Sequence, residues 1–304
     1  MQIGIVGLGR MGGNMARRLA RGGVEVVGFD PSGAARAALA AEHVIVEADS
    51  LPALVAALLP PRVVWLMVPA GAVTEATIAA LAPLLARDDV LVDGGNAHYK
   101  DSQRRAGELA ASGIRFVDCG VSGGVWGLDN GYALMFGADA AAATIIAPYA
   151  RILAPSPDTG WLHCGPCGAG HFVKMIHNGI EYGMMQAFAE GIALMKGKSE
   201  LALDVAAIAE TWRHGSVVRS WLLDLTAEFL ARDDALAGIA PVVADSGEGR
   251  WTAMEAVEQG VPAPVMTLAL MMRFASQGKS DYADKLLAMM RQGFGGHAIT
   301  KAER

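Results

Sequence analysis

The sequence predicts an α/β fold, a doubly wound and largely parallel sheet, followed by an all-α C-terminal domain. Three observations point there. Short apolar runs alternate with alanine-rich helical stretches through the first half. A glycine motif sits between the first two of those runs. From Gly168 onward the pattern is helical almost throughout. A chain of 304 residues, 53% of them hydrophobic, can bury a sizeable core and divide into two domains, and it is too apolar to be disordered.

The elements follow in order. Gln2 to Val6 is an apolar run ending in Gly7-Leu8-Gly9-Arg10-Met11-Gly12, and a helical stretch follows to about Arg21. Val24 to Phe29 is a second run and ends at Asp30. This is G-x-G-x-x-G in the context it needs: strand, glycine turn, helix, strand, acid. Gly7 permits the tight turn, Gly9 lets a pyrophosphate approach the backbone, and Gly12 lets the helix pack close to the strand. The helix N-terminus favours negative charge. Asp30 stands where a carboxylate can accept from a ribose 2′-hydroxyl. The first half therefore reads as a Rossmann-type dinucleotide-binding domain. A 2′-phosphate would sit against Asp30, and Pro31 and Ser32 follow it instead of arginine, so NAD is expected over NADP. Arg36 keeps NADP open as the alternative.

Val63 to Val68 is a continuous apolar run, as a strand buried on both faces requires. Pro69 then opens a helix to about Ala86. Val90 to Val92 ends at Asp93-Gly94-Gly95-Asn96. Arg115 to Asp118 reads as a strand ending in Cys119-Gly120-Val121-Ser122-Gly123-Gly124. Ligands of doubly wound sheets collect at the carboxyl ends of strands, so these turns should line one crevice with the glycine loop. Ser122 and its glycines offer a hydroxyl and open amides to an anion. Each turn, taken alone, is also ordinary strand-to-helix punctuation. Tyr132 to Phe136 reads as one more strand. Ala154 to Cys167 is rich in Pro and Gly, and the domain boundary is placed at its end: residues 1–166, then 167–304.

The helix opening the second half carries Lys174, His177, Asn178 and Glu181 within about 100° of one another. Phe172, Val173, Met175, Ile176, Ile180 and Met184 cover its other side, so the helix reads as buried. Such a polar stripe is either a hydrogen-bonded seam between packed helices or a ligand-binding face. Further helical stretches run over residues 201–214, 217–231, 250–260, 264–276 and 281–290. A loose connection spans 233–249. The tail from Arg291 to His297 is too glycine-rich for a helix. Arg250, Thr252, Arg273 and Arg291 are candidate anion ligands by chemistry alone.

Composition excludes several classes. The net charge is −6 and no basic tract is present, which argues against nucleic acid. Residues 51–73, the most apolar stretch, are broken by prolines and cannot span a membrane. Three cysteines make no disulfide framework, and the chain opens as a strand without a signal peptide, so a cytoplasmic protein is expected. Cys164-Gly165-Pro166-Cys167 has the spacing of a redox dithiol or, with His163 or His171, of half a zinc site. Its surroundings fit neither, and no metal is expected.

Together these residues resemble the 6-phosphogluconate dehydrogenases, within the wider β-hydroxyacid dehydrogenase superfamily. The resemblance runs through the glycine loop, Asp93 to Asn96, Val121 to Gly124, Gly168 to Tyr182, Gly249-Arg250-Trp251-Thr252 and the tail from Arg291 to His297. The stretch Lys174-Met175-Ile176-His177-Asn178-Gly179-Ile180-Glu181-Tyr182 is its most specific part. The length fits the family's short, mostly NAD-linked form. The resemblance implies oxidative decarboxylation of 6-phosphogluconate to ribulose 5-phosphate and CO₂. Lys174 would be the base and Glu181 the acid. Asn96, Ser122, Gly123, Gly124, His177 and Asn178 would hold the sugar acid. Tyr182, Arg250, Thr252 and Arg273 would hold the phosphate. Arg291 and His297 match tail residues that reach a partner subunit in the long form, which implies a homodimer or homotetramer. Gly7 to Gly12, Asp30, Val68, Pro69 and Asn96 would hold the cofactor. Two departures matter: Val125-Trp126-Gly127 replaces acidic residues of the long form, and Arg250 replaces a lysine. The alternatives are a non-decarboxylating dehydrogenase of the 3-hydroxyisobutyrate or tartronate semialdehyde type, and a non-catalytic NAD-binding protein.

Overall fold

A computed structural model describes residues 1–295 and 298–300. The chain forms two compact units, Met1–Met175 and Ile176–Arg304.

In the first unit β1 (Gln2–Val6), α1 (Arg10–Arg21), β2 (Glu25–Phe29), α2 (Gly33–Ala41), β3 (Val46–Glu47), α3 (Leu51–Ala56), β4 (Val63–Leu66), α4 (Ala72–Leu81), β5 (Val90–Asp93), α5 (Tyr99–Ala110) and β6 (Arg115–Ser122) alternate. A short helix α6 (Gly127–Asn130), β7 (Ala133–Gly137), α7 (Ala140–Leu153) and β8 (Trp161–Gly165) complete the unit, together with the first turns of α8 (Ala169–Gly197). The sheet order is β3-β2-β1-β4-β5-β6-β7-β8. All pairs are parallel except β6–β7.

The continuous apolar runs split by the strand's period of two. Ile3, Ile5, Val63, Trp65, Val90 and Val92 pack with Met15, Leu19, Leu39 and Ile146, so α1, α2 and α7 cover one face. Val6, Val64, Leu66 and Leu91 pack with Leu54, Ile78, Leu81 and Leu109, so α3, α4 and α5 cover the other. Each fully buried aliphatic or aromatic side chain contributes about 1.5–3 kcal/mol.

Two expectations for this unit are corrected. The strand read as ending at Asp118 continues to Ser122, because residues 118–122 pair antiparallel with β7. Glycine at 120 looked like a turn; it is instead a close-approach position inside the strand. The segment read as an irregular boundary contains β8, which pairs in parallel with β7 at the sheet's edge. Its Pro and Gly residues flank the strand, which is why its composition hid it.

The second unit holds the rest of α8, then α9 (Val205–Trp212), α10 (Trp221–Arg232), α11 (Glu248–Gln259), α12 (Pro264–Ser276) and α13 (Asp281–Gly295). Gly260 closes α11 in the left-handed conformation that glycine adopts without strain. The tail expected to lack helix is helical through Gly295. Its helix starts with Asp281 and Asp284 at the positive N-terminus, and the run Lys285-Leu286-Leu287-Ala288-Met289-Met290 carries enough helical propensity to continue past Gly293. His297 lies outside the described residues. Among the described residues, no helix is long and apolar enough to cross a membrane.

Candidate active site

The glycine loop has the geometry its sequence promised. Gly7 has φ +94°, and a Cβ there would meet the Met67 carbonyl oxygen at 2.5 Å. A Cβ on Gly12 would lie 2.0 Å from the Gly7 carbonyl oxygen, so α1 can sit on β1 only as glycine. Around Gly9 there is open space, which a phosphate group can enter. Gly9 is the N-cap of α1 and supplies no side-chain cap. Ser32, Ser50 and Asp139 do cap α2, α3 and α7. The α1 amides are thus left for a ligand anion, and they present the positive end of the helix dipole. The Asp30 carboxylate accepts from the Leu8 N–H and the Ser32 N–H, at 2.8 Å each. It ties the loop to the end of β2 and keeps further lone pairs for a ribose hydroxyl. Arg10 and Met11 form the exposed and half-buried start of α1.

The neighbouring turns gather at the same edge. Gly7 packs on Met67 and Val68, and Gly95 packs on the Val68 carbonyl. Pro69 and Asn96 follow as exposed residues at the carboxyl ends of β4 and β5. Asp93, at the end of β5, accepts from the Gly95 N–H at 3.0 Å and from Arg105 Nη1 at 2.9 Å. Arg105 in turn contacts Glu75 at 2.8 Å. This buried chain fixes the turn that presents Asn96. Ser122 ends β6 at the same edge, and Gly123 and Gly124 follow with φ of +131° and +52°.

Lys174 enters this unit through α8. A Cβ on Gly120 would meet Lys174 Cβ at 2.3 Å. A Cβ on Gly170 would meet the Asp118 and Met135 carbonyl oxygens at 2.4 and 2.6 Å. The helix therefore rests directly on the backbone of β6 and β7, and Lys174 stands against the strand two residues before Ser122. Asp118 fixes the helix start, accepting from the Gly168 N–H at 2.6 Å and the His171 N–H at 2.7 Å. His171 Nδ1 lies 2.7 Å from Ser102 Oγ on α5. Asp118, Gly120 and Ser102 were not foreseen from the sequence. The signal for Asp118 was present: an acid inside an otherwise apolar strand must find buried donors.

Along α8 the polar stripe is graded. Lys174 and Asn178 are 7% and 9% exposed, while the His177 and Glu181 side chains are about two-fifths exposed, at 42% and 41%. His177 Nδ1 is 3.0 Å from Asn178 Oδ1 and 3.9 Å from Glu181 Oε2. Lys174 and Glu181 stand seven residues, about two turns, apart and so on one side of the rod. The expectation that the apolar side is buried holds for Met175, with Phe172 and Ile176 half-buried, and is corrected for Val173, Ile180 and Met184, which are exposed.

In the second unit Asp245 is the hub. Its Oδ2 contacts Arg250 Nε, and its Oδ1 accepts from the Gly247 N–H at 3.0 Å and from the Tyr182 hydroxyl at 3.3 Å. Burial pushes the Asp245 carboxyl up, but the Gly247 N–H and the Arg250 guanidinium outweigh it and hold it below the usual carboxylate value. The Arg273 guanidinium stacks 3.4 Å over the Tyr182 ring and donates to the Ala244 carbonyl at 2.8 Å. Tyr182, Arg250 and Arg273 are thus brought together, Arg250 on the Asp245 carboxylate and Arg273 on the Tyr182 ring. Thr252 is buried, with its hydroxyl donating to the Glu248 carbonyl at 2.9 Å and its methyl against Gly179. Arg291 is exposed on α13. Asp245 had been passed over as part of a loose connection, although Asp-Ser-Gly is an Asx-turn signature.

Both cysteines of the pair are free thiols, and burial raises both above the usual thiol value. Burial and the Asp118 charge push the Cys167 thiol far up, and its Sγ donates to the Ser102 carbonyl at 3.5 Å. His163 stacks on Phe136 at 5.3 Å. Among the described residues no group of His, Cys, Asp and Glu is arranged to hold a metal ion.

Comparison with known proteins bears on the whole chain. Residues 2–156 match the NAD binding domain of 6-phosphogluconate dehydrogenase, and residues 170–301 match the 6-phosphogluconate dehydrogenase C-terminal domain. An NAD(+)-dependent, decarboxylating 6-phosphogluconate dehydrogenase of Haloferax volcanii is 42% identical over 304 residues, covering 100% of both chains. The NAD(+)-dependent, decarboxylating enzyme of Bacillus subtilis is 37% identical, and its alignment covers 92% of this chain and 62% of that longer one. Among solved structures, 6-phosphogluconate dehydrogenase of Plasmodium falciparum, studied in its apo form and in complex with NADP+ and with 6-phosphogluconate, has a TM-score of 0.85 at 27% identity and covers 100% of this chain and 67% of its own. A Mycobacterium tuberculosis 3-hydroxyisobutyrate dehydrogenase, at 23% identity and a TM-score of 0.73, shares the fold. Both halves lead to the same place, and with a full-length relative spanning them the chain belongs to the 6-phosphogluconate dehydrogenase family.

Proposed function

We propose that this protein carries out the oxidative decarboxylation of 6-phosphogluconate to ribulose 5-phosphate and CO₂ with reduction of NAD. One observation carries the reading: Lys174 is buried against Gly120, beside Ser122, and shares a helix side with the more open Glu181. NAD, when bound, supplies the hydride acceptor. The open space at Gly9 and the uncapped start of α1 fit its pyrophosphate. Arg10, Met11, Val68 and Pro69 would flank it, and Asp30 would accept from a ribose hydroxyl.

In the first step Lys174, as a neutral amine, takes the proton of the C3 hydroxyl while the C3 hydrogen leaves with its electron pair. The resulting 3-keto acid loses C1 as CO₂. The electrons of the broken C1–C2 bond move toward the C3 carbonyl, to whose oxygen Lys174 returns its proton. Glu181 then protonates the former C2, C1 of the enediol, while the neutral Lys174 takes back the enediol hydroxyl proton, and ribulose 5-phosphate forms. Asn96, Ser122, Gly123, Gly124, His177 and Asn178 are assigned to the carbon chain. Tyr182, Arg250, Thr252 and Arg273 are assigned to the phosphate, and Arg291 to the same anion. His297 keeps the role implied by resemblance only.

The enzyme is further proposed to be cytoplasmic and a homodimer or homotetramer. The second unit's exposed apolar residues, Val257, Val265, Leu268, Leu287 and Met290 among them, support self-association. The test is direct. With NAD and 6-phosphogluconate, NADH and CO₂ should appear in equal amounts. Gluconate should be a far poorer substrate. Equal efficiency with gluconate would remove the phosphate pocket and favour a dehydrogenase for small unphosphorylated acids. NADH without CO₂ would exclude decarboxylation.

A further inference from the structure

We propose that Glu47 is a specificity-determining residue, which enforces NAD use by keeping Arg36 occupied. The inference rests on the reading that β1, α1 and β2 hold a dinucleotide. From Gly22 to Pro61 the chain has a single Lys or Arg, Arg36, against the carboxylates Glu25, Asp30, Glu42, Glu47 and Asp49. Arg36 is therefore the one cation this segment can offer to a ribose 2′-phosphate. The structure shows what it does instead. Arg36 Nε lies 3.0 Å from Glu47 Oε1, and its Nη1 donates to the Asp30 carbonyl at 2.7 Å. Glu47 is the last residue of β3 and pairs in register with Gly28, two residues before Asp30. Strand pairing, not a flexible loop, thus sets the acid beside the guanidinium.

Asp30, Arg36 and Glu47 together carry −1, so a 2′-phosphate arriving beside the Asp30 carboxylate meets net repulsion. Removing the Glu47 charge brings the group to zero and releases the Nε side of the guanidinium, with Nη1 still on the Asp30 carbonyl, to meet the phosphate. Asp30 alone repels a 2′-phosphate; Glu47 also withholds the counter-ion that would offset this. Partly exposed charges interact modestly, so the effect is of the order of threefold to tenfold in affinity.

The test uses the full-length protein and two adenosine fragments, so it does not depend on turnover. Binding of adenosine 2′,5′-bisphosphate and of 5′-AMP is measured by titration calorimetry for the wild type, Glu47→Gln, Glu47→Ala and Glu47→Gln/Arg36→Ala. Both Glu47 variants should bind the 2′,5′-bisphosphate about three- to tenfold more tightly, with 5′-AMP affinity within twofold of wild type. The double variant should lose the gain. An unchanged bisphosphate affinity overturns the proposal. So does a gain that survives Arg36→Ala, or a matching change in 5′-AMP affinity, which would make the pair merely structural. Failure of the wild type to bind 5′-AMP would instead overturn the dinucleotide reading itself.

Discussion

The two units hold their polar groups by different means. In the first, main-chain groups do much of the holding, beside the Asp93–Arg105–Glu75 ion pairs. Asp30, Asp93 and Asp118 each accept from main-chain N–H groups, and glycines at 7, 12, 120 and 170 let strands, turns and helix approach to distances no Cβ would allow. In the second, side chains hold one another: Arg250 on Asp245, Arg273 on the Tyr182 ring, the Tyr182 hydroxyl on Asp245. The cores differ in the same sense. Among the described residues two large clusters sandwich the sheet, whereas the helical unit has two small ones and many exposed aliphatic side chains. A backbone-built site is bound up with the fold, so altering it costs stability. A side-chain-built site can change its ligand contacts at little cost to the fold.

Substitutions put that contrast to the test. The largest effect is expected at Lys174, on the helix that runs through both regions. Lys174→Met should lower kcat at least about a thousandfold, near the upper range for loss of a general base, with NAD affinity within twofold. A titration of NAD alongside steady-state rates checks both, and near-normal turnover would remove Lys174 from the chemistry. Next comes Arg273→Ala in the second unit. The KM for 6-phosphogluconate should rise about ten- to a hundredfold, as expected for a lost charged hydrogen bond, while denaturant unfolding shifts by less than about 1 kcal/mol. An unchanged KM would exclude Arg273 from the phosphate site.

Gly120→Ala probes the opposite regime. The added methyl would fall on the Lys174 side chain, so stability should drop by about 1–3 kcal/mol, and kcat should fall more than KM changes. A variant as stable as wild type would show that the helix is not seated on β6. The smallest effect concerns acid. The Asp245 carboxyl is held below its usual value, so its contribution is full above the unfolded-state value near 3.8 and fades as pH falls through the folded one. The stability difference between wild type and Asp245→Asn should be flat from about pH 8 to pH 5, amount to about 1 kcal/mol or less, and shrink below about pH 4. A difference that grows in acid would reverse the sign assigned to this group.

The same contrast explains what the sequence disclosed. The glycine loop was legible because Gly7 and Gly12 answer fixed steric demands, and the spacing to Asp30 follows from the strand–helix–strand unit. The Lys174 stripe was legible because helical periodicity places its members on one face. Strand β6 was misjudged beyond Asp118, since Gly120 serves a partner, Lys174, that is 54 positions away. The apolar flank of α8 misled for a related reason: Val173, Ile180 and Met184 have the composition of a core, and only three-dimensional packing tells that this chain leaves them open. Asp245 lay in a stretch without periodicity, where local pattern carries little information.

The chain from Gly95 through Asp93 and Arg105 to Glu75 has a bearing on inheritance. Arg105 and Asp93 lie wholly inside the protein; losing Arg105 strands the Asp93 carboxylate there, a defect of about 3–5 kcal/mol, and losing Asp93 leaves Arg105 with Glu75 as its remaining carboxylate. Single steps away from this trio should be selected against, whereas an apolar replacement of Asp93 and Arg105 made together could survive. Lineages would then carry the arrangement intact or lack both inner members, and a library randomising the pair should return survivors in those two classes.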